Sequence, residues 1–318
     1  LVGSEMCIRD RVYDATVSAL LGTSSVTLSG VISGDAVTAN ASAVTASFQD
    51  KNVGAGKSLV VSTAGVVLTG ADAANYALQP VTGLTGTITP AQLSISGLSV
   101  PASKVYDGTT AATVSGTPVV SGLLGSDSVS LTGSVQGAYN SKDVATANAV
   151  SFTGLSLSGA DAGNYVIASS YSLPATVTPA ALTMTGLTVA ASKVYDGNTS
   201  AVVGGTGALV GVFGSDAVAL SGTAVGTYNS KNVVSASQVS FSGLTLSGAD
   251  AANYAFTIQP SVAATITPKP LTMSGLTTPS TKTYDGTTAA TVSGTGILAG
   301  VVGADAVSLG GTAVGVFD

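Results

Sequence analysis

Histidine and tryptophan are absent from the 318 residues, which hold one cysteine, one glutamate and two arginines. Charged residues make up 8% of the chain, against about 25% in an average soluble protein. Each absence removes a chemistry. Without imidazole, the Ser-His-Asp and Cys-His nucleophile systems and His-based metal sites are unavailable. Ten basic residues and a net charge of -6 do not make the basic footprint of a nucleic-acid binder. Low charge joined to 45% hydrophobic residues argues against charge-driven disorder. The longest weakly polar stretch, 201–214, is broken by Gly and Thr and falls short of the roughly 18 apolar residues of a membrane-spanning helix. What is left is rich in Gly, Ala, Val, Ser, Thr and Leu, the composition of a β-rich structural chain.

Glu5, Cys7, Arg9 and Arg11 all fall within residues 1–11, and the 307 residues that follow contain no Glu, Cys or Arg. So sharp a break suggests a separate origin, and residues 1–10 resemble the in-frame translation of a transposase-type sequencing adapter. We therefore set residues 1–11 apart from fold reasoning as a non-native scar. The rest of the chain then has no thiol for a disulfide or a nucleophile, which fits several compartments and selects none.

The dominant signal is an internal repeat. Tyr106-Asp107-Gly108 returns as Tyr195-Asp196-Gly197 and Tyr284-Asp285-Gly286, in steps of 89 residues. Gly70-Ala71-Asp72, Asn75-Tyr76 and Ile88-Thr89-Pro90 recur at the same interval, as Gly159-Ala160-Asp161, Asn164-Tyr165 and Val177-Thr178-Pro179, and again from Gly248, Asn253 and Ile266. A first copy opens on Tyr13-Asp14-Ala15, with Arg11 where Lys104, Lys193 and Lys282 stand later. We expect repeats at 12–90 (lacking its first strand), 91–179, 180–268 and 269–318 (an N-terminal half only), a fragment of a longer array. The two whole repeats are expected to be its ordered part.

Within each copy, stretches such as 239–246, 150–157, 182–187 and 271–276 alternate apolar with small polar residues, which places one set of side chains on a buried face. Val and Thr favour strands, and the 40 glycines disfavour long helices. Asp-Gly, Ser-Gly and Gly-Ser/Ala-Asp clusters mark turns about every 8–12 residues. A period of 89 residues exceeds the 20–45 of a solenoid coil and approaches the roughly 100 of an immunoglobulin-like domain. The expected fold is all-β: tandem immunoglobulin-like β-sandwich modules in a row, with a continuous β-solenoid as the alternative. Pro90, Pro179 and Pro268 are natural borders, since proline restricts its own φ and the residue before it.

The Lys-x-Tyr-Asp-Gly-Thr-Thr start, the Leu-Ser-Gly-Ala-Asp-Ala-x-Asn-Tyr centre and the Ile-Thr-Pro-x-x-Leu end together resemble the YDG-type repeat of bacterial filamentous-haemagglutinin and adhesin-like surface proteins. The resemblance covers everything after Arg11. It implies an extracellular or bacterial cell-surface protein whose repeats form a stalk carrying an adhesive part elsewhere. The first copy departs from it at Ala15, where an altered turn is expected because Ala tolerates positive φ poorly.

The Tyr-Asp-Gly turns (Tyr106, Asp107, Gly108; Tyr195, Asp196, Gly197; Tyr284, Asp285, Gly286) read as a structural motif, as do Tyr76, Tyr165 and Tyr254. The turn's Tyr is expected to pack its ring and bond its hydroxyl to backbone, as tyrosine corners do. The pairs Asp72/Asn75, Asp161/Asn164 and Asp250/Asn253 offer oxygens for Ca²⁺, which takes 6–8 of them. The Asp-x-Asp-x-Asp pattern is missing, and Asx-turn or capping roles are the stronger reading. Lys51, Lys142 and Lys231 each follow an aromatic by three residues. They suit a hairpin end, or a Lys–Asn or Lys–Asp crosslink whose usual acid, Glu, is lacking. Gly205-Thr206-Gly207 and Gly294-Thr295-Gly296 lack the spacing of a nucleotide loop. Asn40-Ala41-Ser42 and Asn198-Thr199-Ser200 match the glycosylation sequon. No catalytic, cofactor or metal residue is assigned, and no cofactor is expected.

These observations favour a structural stalk or spacer of a large secreted or cell-surface adhesin. The expected partners are the neighbouring repeats, with host glycan or protein bound outside this stretch. A second reading lets the repeats themselves bind glycan or host protein, although sixteen aromatics must also serve the cores. An enzyme would have to rely on Asp, Lys and Tyr alone.

Overall fold

The computed structural model describes residues 10–19, 28–40, 44–168 and 171–318. Glu5, Cys7, Arg9 and the Ala41-Ser42 part of the first sequon lie outside them. Among the described residues the fold is all-β. Among the described residues helix is confined to single 3₁₀ turns at Ala73–Asn75, Ala162–Asn164 and Ala251–Asn253. No helix among these residues is long and apolar enough to cross a membrane.

The third repeat shows how the sequence builds its sheets. Along Ala180–Val189, Ala180, Leu182, Met184 and Leu187 are buried while the residues between them are exposed. The alternation skips one position at Gly186, because the pairing with Val203–Val210 shifts register between Thr185 and Leu187. Gly186 has φ 99° and Gly205 has φ 78°. A Cβ on either would overlap the backbone carbonyl of Thr206 or of Gly186. Two strands approach this closely only where both residues are glycine. The same crossing recurs at Gly97/Gly116, Gly133/Gly154, Gly222/Gly243 and Gly275/Gly294. The Gly-Thr-Gly segments are thus parts of bulges.

Two sheets follow. Val203–Val210, Ala180–Val189 and Tyr254–Thr257 form one, in that order, the last two parallel. Ser200–Ala201, Ala219–Tyr228, Gln238–Ser247 and Val262–Ala263 form the other. Met184 and Leu187 from the first meet Phe241 from the second, with Leu209, Leu220 and Phe256 packed around them. The second repeat has the same two sheets, Ser115–Ser121, Ala91–Ser99, Tyr165–Ile167 and Ala111–Ala112, Ser130–Tyr139, Ala149–Ser158, Ser172–Pro174. In the first repeat Arg11–Val12, Thr85–Thr89, Gly54–Ser62, Thr45–Phe48 and Ser18–Ala19 make a five-stranded sheet.

The chain divides into two compact units, and their limits cut across the 89-residue period. One holds the described residues of Leu1–Lys104, Thr109–Lys142 and Thr146–Val177. The other holds Val105–Gly108, Asp143–Ala145 and Thr178–Asp318. The Tyr-Asp-Gly turn of the second repeat therefore belongs with the third. In the first unit, Tyr13, Phe48, Leu59 and Ile88 of the first repeat share one core cluster with Ala91, Leu93 and Tyr165 of the second.

Candidate functional site: a tyrosine–aspartate–tyrosine junction

The turns that open on Tyr13, Tyr106 and Tyr195 are each fixed by the Thr-Pro end of their own repeat. The backbone N–H of Tyr13, Tyr106 and Tyr195 donates to the carbonyl of Thr89, Thr178 and Thr267, at 2.8, 2.8 and 2.9 Å. In the third repeat, Ser192–Val194 runs parallel to Thr265–Thr267 immediately before the turn. The two motifs at opposite ends of the repeat sequence are thus one local structure.

The tyrosine then reaches into the next repeat. The Tyr13 hydroxyl donates to Asp127 Oδ2 at 2.7 Å, and the Tyr165 hydroxyl donates to the same oxygen at 2.7 Å. Lys51 donates to the other oxygen, Oδ1, at 2.5 Å. The two rings meet edge to face with centroids 5.3 Å apart. In the second unit, Tyr106 and Tyr254 donate to Asp216 Oδ2 at 2.7 and 2.6 Å, with ring centroids 5.4 Å apart. The backbone N–H of Leu124 donates to the Tyr165 hydroxyl at 3.0 Å, and that of Phe213 donates to Tyr254 at 2.9 Å. The neighbouring Asp305 carboxylate raises the Tyr195 hydroxyl's pKa. The expectation of a hydroxyl bonded to backbone is corrected: the acceptor is a carboxylate of the following repeat. The charged partner strengthens the bond.

A second pair of contacts lies beside the first. The buried Asn164 accepts from the Val53 N–H at 2.9 Å and donates to Asn52 Oδ1 at 3.1 Å. Asn253 accepts from the Val144 N–H at 2.9 Å and donates to Asp143 Oδ1 at 3.0 Å. Both amide ends are satisfied across a repeat boundary, which a buried carboxamide requires.

The turn's own Asp faces outward and pairs locally. Asp196 and Asp285 accept from Lys193 and Lys282 at 2.8 and 2.9 Å. They also accept from the backbone N–H two residues on, Asn198 and Thr287. The lysines lie over aromatic rings, Lys193 over Tyr228 at 5.4 Å and Lys104 over Tyr139 at 5.3 Å. Arg11 does the same, over Phe48 at 5.3 Å and paired with Asp14. Ala15 keeps φ 64°, beside 76°, 83° and 75° at Gly108, Gly197 and Gly286. The altered turn expected there does not occur; the local pairing holds an alanine in the left-handed region.

The electrostatics fit a hydrogen-bond hub. The Lys51 ammonium, and then the Tyr13 hydroxyl, hold the Asp127 carboxyl at about 2. Asp127 in turn raises Lys51. Burial, then the hydrogen bond to the carboxylate, raises Tyr13 and Tyr165 and pushes Tyr254 up to about 12. The carboxylate stays ionised and the phenols stay protonated over a wide pH range. The Asp127 side chain is 3% exposed, and it accepts three donors. Such a group joins segments and leaves little access for a substrate.

The remaining sequence candidates separate. Asp72, Asp161 and Asp250 accept backbone N–H groups of Ala36, Ser128 and Ala217 at 2.9, 2.9 and 2.8 Å. Asn164 and Asn253 turn to the previous repeat instead, so the Asp/Asn pairs do not converge. Among the described residues no three metal-ligating side chains cluster. Lys51 is no solvated hairpin lysine: it pairs with Asp127 and lies 3.5 Å from Asp161. Asn198 Oδ1 accepts from Lys193 and from the Ser200 N–H. Tyr284 is 92% exposed. Sequence reasoning missed Asp127, Asp216 and Asp305 as junction residues. Their 89-residue recurrence is the available signal, although within a Gly-Ser/Ala-Asp cluster it also fits turn chemistry.

The family model described as YDG domain matches residues 6–83, 89–172, 178–263 and 267–318. Comparison with curated proteins and with solved structures finds no match to the chain.

Proposed function

We propose that this chain, which belongs to the YDG domain family, is the structural spacer of a large bacterial secreted or cell-surface adhesin and performs no catalysis. The observation that carries this reading is the repeated junction. Tyr13 with Asp127 and Tyr106 with Asp216 join one repeat to the next by the same bond. A core cluster that crosses from the first repeat into the second adds apolar burial to it. Repeats tied by nearest-neighbour contacts can extend by addition without a new design for each joint. Such a spacer places a binding part, carried elsewhere in the protein, at a distance from the surface that bears it.

Small-angle scattering tests this on the whole chain at low concentration. An elongated particle with the repeats in line is expected, and a compact globule would overturn the spacer reading. A second reading, in which the repeats themselves bind host glycan or protein, draws on exposed apolar side chains such as Val202 and Val234. A glycan array with signal above background would favour it.

A further inference from the structure

Three groups that can condense to an amide stand together within the first unit. Lys51 Nζ donates to Asp127 Oδ1 at 2.5 Å and lies 3.5 Å from Asp161 Oδ1. They are an amine nucleophile, a carboxyl held against it, and a second carboxylate placed to carry a proton from the same nitrogen. Glutamate is lacking from residues 12–318, and Asp161 supplies the acid in its place. The Ser128 N–H fixes Asp161 by its other oxygen, Oδ2, at 2.9 Å, which leaves Oδ1 turned to the ammonium.

The two oxygens of Asp127 differ in their surroundings. Oδ2 accepts the hydroxyls of Tyr13 and Tyr165, each at 2.7 Å. Two donors are thus aimed at an oxygen that gains charge when the carboxyl carbon is attacked. Oδ1 is the oxygen that Lys51 touches. The Asp127 side chain is 3% exposed, and that of Lys51 is 36% exposed, which gives a released water a way out. An amine and a carboxylate hardly condense in dilute water, but groups held in contact react at effective concentrations of about 10⁵–10⁸ M.

We propose that Lys51 and Asp127 join in an isopeptide bond, a covalent tie from the first repeat to the second that the chain forms by itself. One proton passes from the Lys51 ammonium to Asp127 Oδ1 along their hydrogen bond, leaving a neutral amine beside a neutral carboxyl. The amine attacks Cγ of Asp127, a C–N bond forms, and negative charge develops on Oδ2 under the two tyrosine hydroxyls. Asp161 takes a second proton from the nitrogen and delivers it to Oδ1. The Cγ–Oδ1 bond breaks, and Oδ1 leaves as water. Nothing is oxidised or reduced, and Asp161 ends as it began.

The product fits the site as it stands. Oδ2, now an amide carbonyl oxygen, keeps both tyrosine hydroxyls on its two lone pairs. The remaining N–H can donate to Asp161. A buried ion pair is replaced by a neutral, hydrogen-bonded amide, which removes the cost of holding charge away from water. The same residue types return one repeat on, at Lys142, Asp216 and Asp250. The chain folds first with the ion pair, and the joined fraction grows with time, because the ammonium must give up its proton before the amine can attack. The step occurs once in each chain, acts on no outside substrate and does not depend on the spacer reading.

Intact-mass spectrometry of the denatured whole chain, followed over time from synthesis, tests the bond. Relative to the mass coded by the sequence, the wild-type chain is expected to lose one water that the Lys51→Arg chain keeps. Proteolysis should then release a branched peptide that joins the segments around Lys51 and Asp127. Asp161→Asn should slow the loss at least about a hundredfold, the usual worth of a general acid–base group. A wild-type mass that never falls, or a water lost equally by Lys51→Arg, would overturn the bond. Joining of the Asp161→Asn chain at the wild-type rate would overturn Asp161 as the proton carrier. The scattering test of the spacer is independent of both results.

Discussion

Asp127 gathers donors from three separated stretches of chain, Tyr13, Lys51 and Tyr165. Its carboxyl is held at about 2, below its ordinary 3.8, so the junction's contribution is complete above about pH 4 and is lost as pH falls toward 2. The tyrosines shift the other way. The part held by Tyr254, raised to about 12, is complete below about pH 10 and is lost as pH climbs through 12. A denaturant midpoint measured against pH should be flat between these limits, and Asp127→Asn should flatten the acid limb. An unchanged acid limb in that variant would remove Asp127 from the account. Ala15 is the other telling residue. An L-residue in the left-handed region costs about 1–2 kcal/mol, so Ala15→Gly should stabilise the protein by about 1 kcal/mol in denaturant titration. No gain would mean that the Arg11 and Asp14 pairing already offsets the strain. The Tyr-Asp-Gly recurrence was legible as structure in the sequence. Its acceptor was not, because Tyr13 and Tyr106 lie 114 and 110 residues from the carboxylates they meet.

At the scale of elements, alternation announced the strands that carry the cores, as along Ala149–Ser158 and Gln238–Ser247. It did not announce the bulges, since a glycine inside an alternating run reads equally well as a turn. At the Gly186/Gly205 crossing the carbonyls of Thr206 and Gly186 occupy the space that the two side chains would need. Gly186→Ala should therefore cost more than about 1 kcal/mol, the level at which Ala in a positive-φ site becomes destabilising. It should also lower hydrogen-exchange protection along Ala180–Val189. Wild-type protection there would show that the crossing relaxes at no cost. The 3₁₀ turns explain the Gly-Ala-Asp-Ala-x-Asn-Tyr motif: the Asp ties the turn to the Ser128 or Ala217 N–H, and the turn delivers Asn and Tyr to the junction.

For the whole molecule the unit of stability is not one sequence repeat. Tyr13, 2% exposed, shares a core cluster with Leu93 and Tyr165 of the following repeat. Tyr13→Phe keeps the ring and removes the hydroxyl, so it should cost about 2 kcal/mol for a bond to a charged acceptor. The loss should appear as reduced hydrogen-exchange protection at Ala91 and Leu93, in the second repeat. Loss confined to the first repeat would mean that the repeats unfold independently.

The all-β class, the 89-residue period and the positions of the turns are legible in the order of residues alone. Those follow from local chemistry: alternation, β-branched residues, and glycine where φ must be positive. Which partners the repeated residues meet is set by the folded packing. It directed the tyrosine hydroxyls to carboxylates, and the asparagines and Lys51 to groups across a repeat boundary. An ionised, buried carboxylate must find several donors at once. In a periodic chain identical donors stand in every copy, so composition and spacing cannot say which copy supplies them; backbone geometry can.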